Sequence, residues 1–267
     1  MRWLLTVACL LVTSMPARAQ RPILYTEEPA TLGDGNQLIG GGFEYLRKSD
    51  RDVGVPWTRL WKVPEILAEF GVGERVNVQL YWRGGLFARS PSGTTGSDYG
   101  DLSIATKILI LRETQNRPAF GMNYSVKLPN TKDEEGLGSD NTDVYGALLF
   151  SKKFGMVTGR LNLGLGILGD PRRQNAQDDI YVYGAAFLLR LEPSTRIFVE
   201  TTGFFGPLND DDKLVGRLGL QIRRLDLDWT GFWSVKLFGT PLDFGTAFEL
   251  SERWGAGIFV SKQLNLW

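Results

Sequence analysis

An all-β fold, a transmembrane antiparallel up-and-down β-barrel, is what this sequence predicts. Three observations carry the prediction. Segments of about ten residues alternate apolar and polar side chains with period two, short and long connections alternate between them, and aromatic residues gather near segment ends. Glycine, common at turns and bends, is abundant at 32 residues, and aromatics make up 12% of the chain.

The first element is an export signal over residues 1–19. Arg2 gives the positive start, Trp3 to Val12 is apolar apart from Thr6, and Ala17-Arg18-Ala19 supplies a small-x-small cleavage site. The apolar run is too short for a bilayer-spanning helix, which needs about 20 residues. Cys9, the single cysteine, reads as one apolar residue of this core rather than an acylation site, because Thr6 stands where a lipoprotein box wants Leu. Cleavage before Gln20 leaves a chain without cysteine, long enough to fold without disulfides. Losing Arg2 and Arg18 from the 30 basic residues leaves 28 against 30 acidic, a net of −2. That balance argues against nucleic acid as a partner.

Residues 20–35 form an N-terminal segment that either adds a strand or lies in a lumen. The barrel itself is expected over 36–267. Thirteen stretches read as strands: 37–47, 58–70, 75–87, 99–110, 118–129, 142–153, 157–168, 179–190, 196–205, 213–223, 226–236, 242–251 and 255–265. Bacterial single-chain barrels have an even number, so the expected count is twelve strands, with fourteen as the alternative. The stretch 56–70 is the least regular, because Pro56 and Pro64 cannot donate ladder hydrogen bonds. In the clearest stretch Val76, Val78, Leu80 and Trp82 share one face and Asn77, Gln79, Tyr81 and Arg83 the other. Leu161, Leu163, Leu165 and Ile167 likewise oppose Thr158, Arg160 and Asn162.

A soluble sandwich or lipocalin-like barrel also alternates, with its apolar face inward. Segment length decides for the membrane, since a tilted strand needs 9 to 11 residues to cross. Trp82, Phe150, Tyr181, Trp229, Trp233 and Trp254 sit on apolar faces near segment ends, as interfacial girdles require. Gly71–Arg75, Lys153–Gly155, Glu192–Thr195, Arg223–Asp226 and Ser251–Arg253 read as short turns. Ala88–Asp98, Asn130–Asn141, Gly169–Asp178 and Gly206–Asp212 read as long exterior loops. Trp267 is terminal and aromatic, as the barrel-assembly signal prefers. Stepping back by two, however, gives the polar Asn265, Gln263 and Ser261.

Several motifs together resemble a known family. They are Glu28-Pro29-Ala30-Thr31 before a glycine-rich strand, the turn Phe70-Gly71-Val72-Gly73-Glu74-Arg75-Val76, Tyr99-Gly100-Asp101-Leu102 leading to Lys107, and Lys127-Leu128-Pro129 before an acidic loop. They resemble the outer-membrane transporters named after the meta-cleavage pathway of phenol degradation, over about residues 26 to 260. The resemblance implies a barrel that passes small, often hydrophobic or aromatic molecules. It implies no catalytic or ligand residues.

Inward-facing polar residues are the candidate site: Gln79, Arg83, Lys107, Lys127, Arg160, Glu200, Arg217 and Gln221. On the lipid face a midplane Arg or Lys would cost ~2–4 kcal/mol. Inside, these charges either line a pore with a mild anion preference or neutralise one another in a plugged barrel. Tyr81, Tyr145, Phe198, Phe204 and Phe232 fall on the same register and either form a track for hydrophobic solutes or fill the lumen. Asp133-Glu134-Glu135 and Asp210-Asp211-Asp212 read as solvated loop rather than calcium sites, and Gly40-Gly41-Gly42 as strand rather than phosphate loop.

There is no histidine in the chain. A Ser-His or Asp-His site and a zinc site of the usual type are thereby excluded. No catalytic residue, metal or cofactor is expected. The expected place is the outer membrane of a Gram-negative cell, among lipid and lipopolysaccharide, reached through the barrel-assembly machinery. The function that follows is passive transport of small molecules. A surface-interaction barrel with a filled lumen is the alternative.

Overall fold

Period-two alternation needs a different surrounding for each face, and the chain finds both by closing a ring. The computed structural model describes residues 25–49, 57–131, 137, 140–169, 177–206, 213–237 and 254–265. Its strands are β1 (Asn36–Ser49), β2 (Trp57–Gly71), β3 (Val76–Arg83), β4 (Leu86–Arg89), β5 (Thr95–Asp98), β6 (Leu102–Leu111) and β7 (Ala119–Leu128). They continue as β8 (Asp143–Phe154), β9 (Val157–Gly169), β10 (Gln177–Glu192), β11 (Thr195–Phe205), β12 (Lys213–Arg224), β13 (Leu227–Leu237) and β14 (Trp254–Asn265). All except β4 and β5 pair antiparallel with both neighbours in a closed ring of twelve. The ring is sealed where β1 pairs with β14, from Asn36 opposite Asn265 to Leu46 opposite Gly255.

The expected stretch 58–70 is a strand in spite of Pro64. The proline sits where β2 changes partners: Glu65–Gly71 pairs with β3 and Arg59–Lys62 with β4. No ladder bond there asks for the N–H that proline lacks. The expected strand 75–87 is correspondingly divided. Gly84 donates its N–H to the Pro64 carbonyl at 2.6 Å, and the Val63 N–H reaches the Gly85 carbonyl at 2.8 Å. A Cβ on Gly84 would meet the Pro64 ring at 2.9 Å, so the close approach needs glycine there. Beyond the break, the stretch expected as an exterior loop over Ala88–Asp98 contains the hairpin β4–β5 instead. Ser90 donates to the Thr94 carbonyl at 2.8 Å, and Gly93 takes the left-handed φ of 90° that the turn requires. The expected strand 99–110 starts later, at Leu102, because Tyr99–Asp101 belongs to the break. The expected strand 242–251, the turn Ser251–Arg253 and both acidic clusters lie outside the described residues. Since β13 pairs directly with β14, the ring closes without a strand between them.

Both ends of the ringed chain lie on the side of the short connections, and the longer ones cluster on the other side. The outward face is apolar and uncovered: on β9, Leu161, Leu163, Leu165 and Ile167 are between 42% and 58% exposed. In water such a belt would be a severe aggregation liability; in lipid it is the contact surface. An aromatic girdle runs along the long-loop side, from Phe43 to Trp61 (ring centroids 6.3 Å apart), Trp61 to Tyr45 (4.6 Å), Tyr45 to Trp254 (5.4 Å) and Trp254 to Trp233 (5.8 Å). Phe120 and Phe150 pack tilted against each other, ring centroids 5.0 Å apart, toward the opposite rim. These are the depths at which amphipathic rings settle. The protein is a membrane-spanning barrel.

Inward, one side of the wall is apolar. Phe198, Phe232 and Phe259 are buried with Ala186 and Leu188 in one cluster. Each ring lies over a glycine of the next strand: a Cβ would strike Phe198 from Gly219, Phe232 from Gly257 and Phe259 from Gly42. The glycine-rich stretch of β1 is thus a seat for an aromatic ring. Gly219→Ala is expected to lose ~1–3 kcal/mol of stability, the usual cost of overpacking, because its Cβ would lie 2.5 Å from the Gly231 carbonyl oxygen as well as against Phe198. Urea unfolding in detergent micelles measures this, and adding Phe198→Leu should return part of the loss.

Candidate functional site in the barrel lumen

The other side of the inner wall is charged, and residues 25–32 lie against it. Glu27 is the centre of the contact. Its carboxylate accepts from Gln79 Nε2 at 3.1 Å and from Asn123 Nδ2 at 2.9 Å, and it stands 3.7 Å from Lys107 Nζ. With its amide oriented to satisfy both groups, Asn162 accepts from the Glu27 N–H at 2.8 Å and donates to the Glu27 carbonyl at 2.9 Å. Glu28 forms an ion pair with Arg160 at 3.0 Å. Thr26 donates its N–H to Glu200 Oε1 at 2.5 Å, and its carbonyl accepts from Arg160 Nη1 at 3.4 Å. The Tyr25 ring lies under the Arg217 guanidinium, 3.9 Å from its centroid, a cation–π arrangement. Leu32 donates its N–H to Asn77 Oδ1 at 3.1 Å, near the turn where the segment enters.

Of the two placements open to residues 20–35, the described part from Tyr25 onward therefore takes the lumen. It pairs with no strand. Glu27 and Glu28 were not candidates in the sequence, and neither were Thr26, Asn77, Asn123 and Asn162.

The sequence candidates fall into three groups. Gln79, Lys107, Arg160, Glu200 and Arg217 face the segment. Lys107 is buried, 4% exposed, held between Glu69 at 2.9 Å and Glu27. Arg217 bridges Glu200 at 3.4 Å and Thr202 Oγ1 at 2.8 Å. Arg83 and Lys127 belong to the long-loop half. Arg83 stands 3.9 Å from Glu65, which also accepts from the Tyr81 hydroxyl, while Lys62 pairs with Glu44 at 2.6 Å nearby. Lys127 pairs with Asp143 at 2.7 Å and Asp101 at 3.3 Å. Gln221 stands apart, fully buried, with neither amide atom hydrogen-bonded.

Arg83, Lys107, Lys127, Arg160 and Arg217 each have an acidic partner. The geometry favours mutual neutralisation over the anion-selective lining considered above. Buried charges are stable only when paired and hydrogen-bonded, which explains why each of these bases stands against an acid.

The mouth is narrowed separately. Leu137 packs against Leu60, Leu86 and Ala88 inside the rim. The connection that carries Leu137 is tied at its start by Asp101, which accepts the N–H groups of Asn130 and Thr131, both at 2.9 Å. Burial pushes the Asp101 carboxyl up, but the two amides and Lys127 outweigh it and hold the group below the ordinary carboxylate range. The folded value is depressed, so the stabilisation is complete above the unfolded value of about 4 and is lost as pH falls through the folded one. Amide exchange at Asn130 and Thr131 should remain slow near pH 5 and quicken beyond the intrinsic pH trend only below about 4. Asp101→Asn should show fast exchange throughout.

Known structures share this architecture. An outer membrane channel from Pseudomonas putida superposes with a TM-score of 0.61 at 12% identity, covering 92% of this chain and 100% of the other. The NanC porin superposes with a TM-score of 0.56 at 9% identity, covering 85% and 100%. No family model and no curated protein matches the sequence. At these identities the likeness is one of fold, that of an outer-membrane β-barrel.

Proposed function

We propose that this protein is a passive outer-membrane channel for small molecules, aromatic ones among them, closed in this structure by residues 25–32, and without a catalytic step of its own. One observation carries the reading. The obstruction is held by side-chain hydrogen bonds, ion pairs and one cation–π contact, while the wall behind it is a complete ring that does not need it for pairing. A wall of this kind outlasts the departure of the segment. The two-sided lumen, aromatic on one side and ion-paired on the other, suits solutes with a ring and a polar group. The sequence resemblance to the transporters of the phenol meta-cleavage pathway agrees with it. Lipid, lipopolysaccharide and the barrel-assembly machinery are the further partners this reading implies.

The burial of Lys107, Arg160 and Glu200 beneath the segment favours a second reading, a barrel permanently filled and used for its surface. Liposome swelling divides the two. Proteoliposomes are challenged with sugars, amino acids and aromatic acids, and uptake of the aromatic acids at least is expected. Uptake of none, by the parent and by a variant with Glu27 and Glu28 neutralised, would leave the filled barrel standing.

A further inference from the structure

We propose that Arg196 and Gln221 form a carboxylate-binding site at the short-turn end of the lumen, and that with Phe198, Phe232 and Phe259 it takes aromatic carboxylates as solutes. The proposal rests on the channel reading above and names its substrate class.

The register puts these groups together. Arg196 on β11 stands opposite Gln221 on β12, and Gln221 opposite Thr230 on β13. Directly opposed residues point to the same face, and here that face is the lumen, since Gln221 and Thr230 are 0% and 1% exposed. Two residues along, the same face carries Phe198 after Arg196 and Phe232 after Thr230, while Phe259 on β14 stands directly opposite Thr230 and Ser261 opposite Asp228. Arg196, Gln221 and Thr230 therefore lie about 7 Å, two strand residues, from Phe198 and Phe232, with Phe259 at the end of their own row, within reach of one molecule carrying a ring and a carboxylate.

What marks the polar row is unspent bonding capacity. The Arg196 guanidinium takes part in no ion pair or hydrogen bond among the described residues, unlike those of Arg160, Arg217 and Arg223. Gln221 leaves both Nε2 and Oε1 without a partner, and two residues beyond that row the Ser261 hydroxyl, opposite Asp228, is likewise unpaired. Buried amides are rarely left so. The charges that act on Arg196 are Glu28, Arg160, Arg190 and Asp228. The two acids among them are already engaged, Glu28 with Arg160 and Asp228 with Arg223. An arriving carboxylate thus meets one uncommitted guanidinium, able to hold both its oxygens, and a side-chain amide ready to donate. The ring then meets the phenylalanines. Residues 25–32 lie in the same lumen, with Glu28 among the charges that act on Arg196, so the displacement that transport requires also opens the approach to this row.

The test is isothermal titration of the full mature chain in detergent micelles with benzoate, acetate and benzyl alcohol. Benzoate should bind at least tenfold more tightly than either of the others, since each lacks one half of the recognition. Arg196→Gln should weaken benzoate at least tenfold. Gln221→Leu should weaken it several-fold while leaving the unfolding midpoint unchanged or raised, because it removes polar atoms that have no partner. Arg112→Gln, at the exposed rim, should bind as the parent does. Heat-modifiable gel migration confirms that each variant is folded. Absence of benzoate binding, equal binding of acetate, or undiminished binding by folded Arg196→Gln overturns the proposal. The channel reading fails separately: benzoate bound without any liposome swelling would keep the site and remove the transport.

Discussion

With Glu27 and Glu28 both replaced by glutamine, the barrel is expected to conduct. The two carboxylates make the ionic contacts that residues 25–32 have with the wall, to Lys107 and Arg160. Hydrogen bonds to charged groups contribute ~1.5–3 kcal/mol each; Glu28 makes one with Arg160 and Glu27 accepts from Gln79 and Asn123, so neutralising both carboxylates moves the closed–open balance at least a hundredfold toward open. The wall should tolerate the change. Lys107 keeps Glu69 at 2.9 Å, and Arg160 remains near the Thr26 carbonyl and free to find water. In planar bilayers the parent should show rare, brief openings and the variant sustained ones, at the low ionic strength where the charge contacts count most. Identical open probabilities would mean that the segment is a fixed part of the wall.

Lys107→Met should have the largest effect on stability, a loss of ~3–5 kcal/mol. The side chains of Lys107 and Glu69 are 5% and 2% exposed, and removing the ammonium leaves the carboxylate with the Asn77 amide as its remaining donor among the described residues. Breaking one half of a buried pair is costly, whereas replacing both halves often is not. The double variant Lys107→Met with Glu69→Gln should accordingly recover most of the loss, the glutamine still accepting from Asn77. Urea unfolding in lipid vesicles gives both values. A single-variant loss below about 1 kcal/mol, the range of surface pairs, would show that water reaches this part of the lumen freely.

These effects bear on how far the sequence alone could go. The wall was legible because lipid and lumen impose opposite demands on successive residues: Leu161, Leu163 and Leu165 face out and Arg160 and Asn162 face in by the same rule in the sequence and in the barrel. Gln79, Lys107, Arg160, Glu200 and Arg217 could be placed inward for that reason. The division of β3 from β4 could not, since Gly84 and Gly85 look like any strand glycines until Pro64 of the neighbouring strand is set beside them. The segment was hidden by distance. Thr26 finds Glu200 across 174 residues and Glu27 finds Asn123 across 96, and period-two reasoning says nothing about contacts between a segment and a wall. A signal did exist. Basic residues stood mid-strand in excess of the acids assigned to them, and Glu27-Glu28 lay in a short piece ahead of the first strand. Arg196 escaped notice because it sits one residue inside its strand, where a charge is usually solvated.

The pairing of β1 with β14 has a consequence for how the protein is made. The first strand cannot find its second neighbour until the last has emerged from the ribosome, so no partial chain can be a smaller version of the whole. A truncation before Trp254 would present β1 and β13 as two raw edges, unable to enter lipid and ready to stick to other chains. Translation must finish first, and the unfinished polypeptide has to be kept from aggregating until it does.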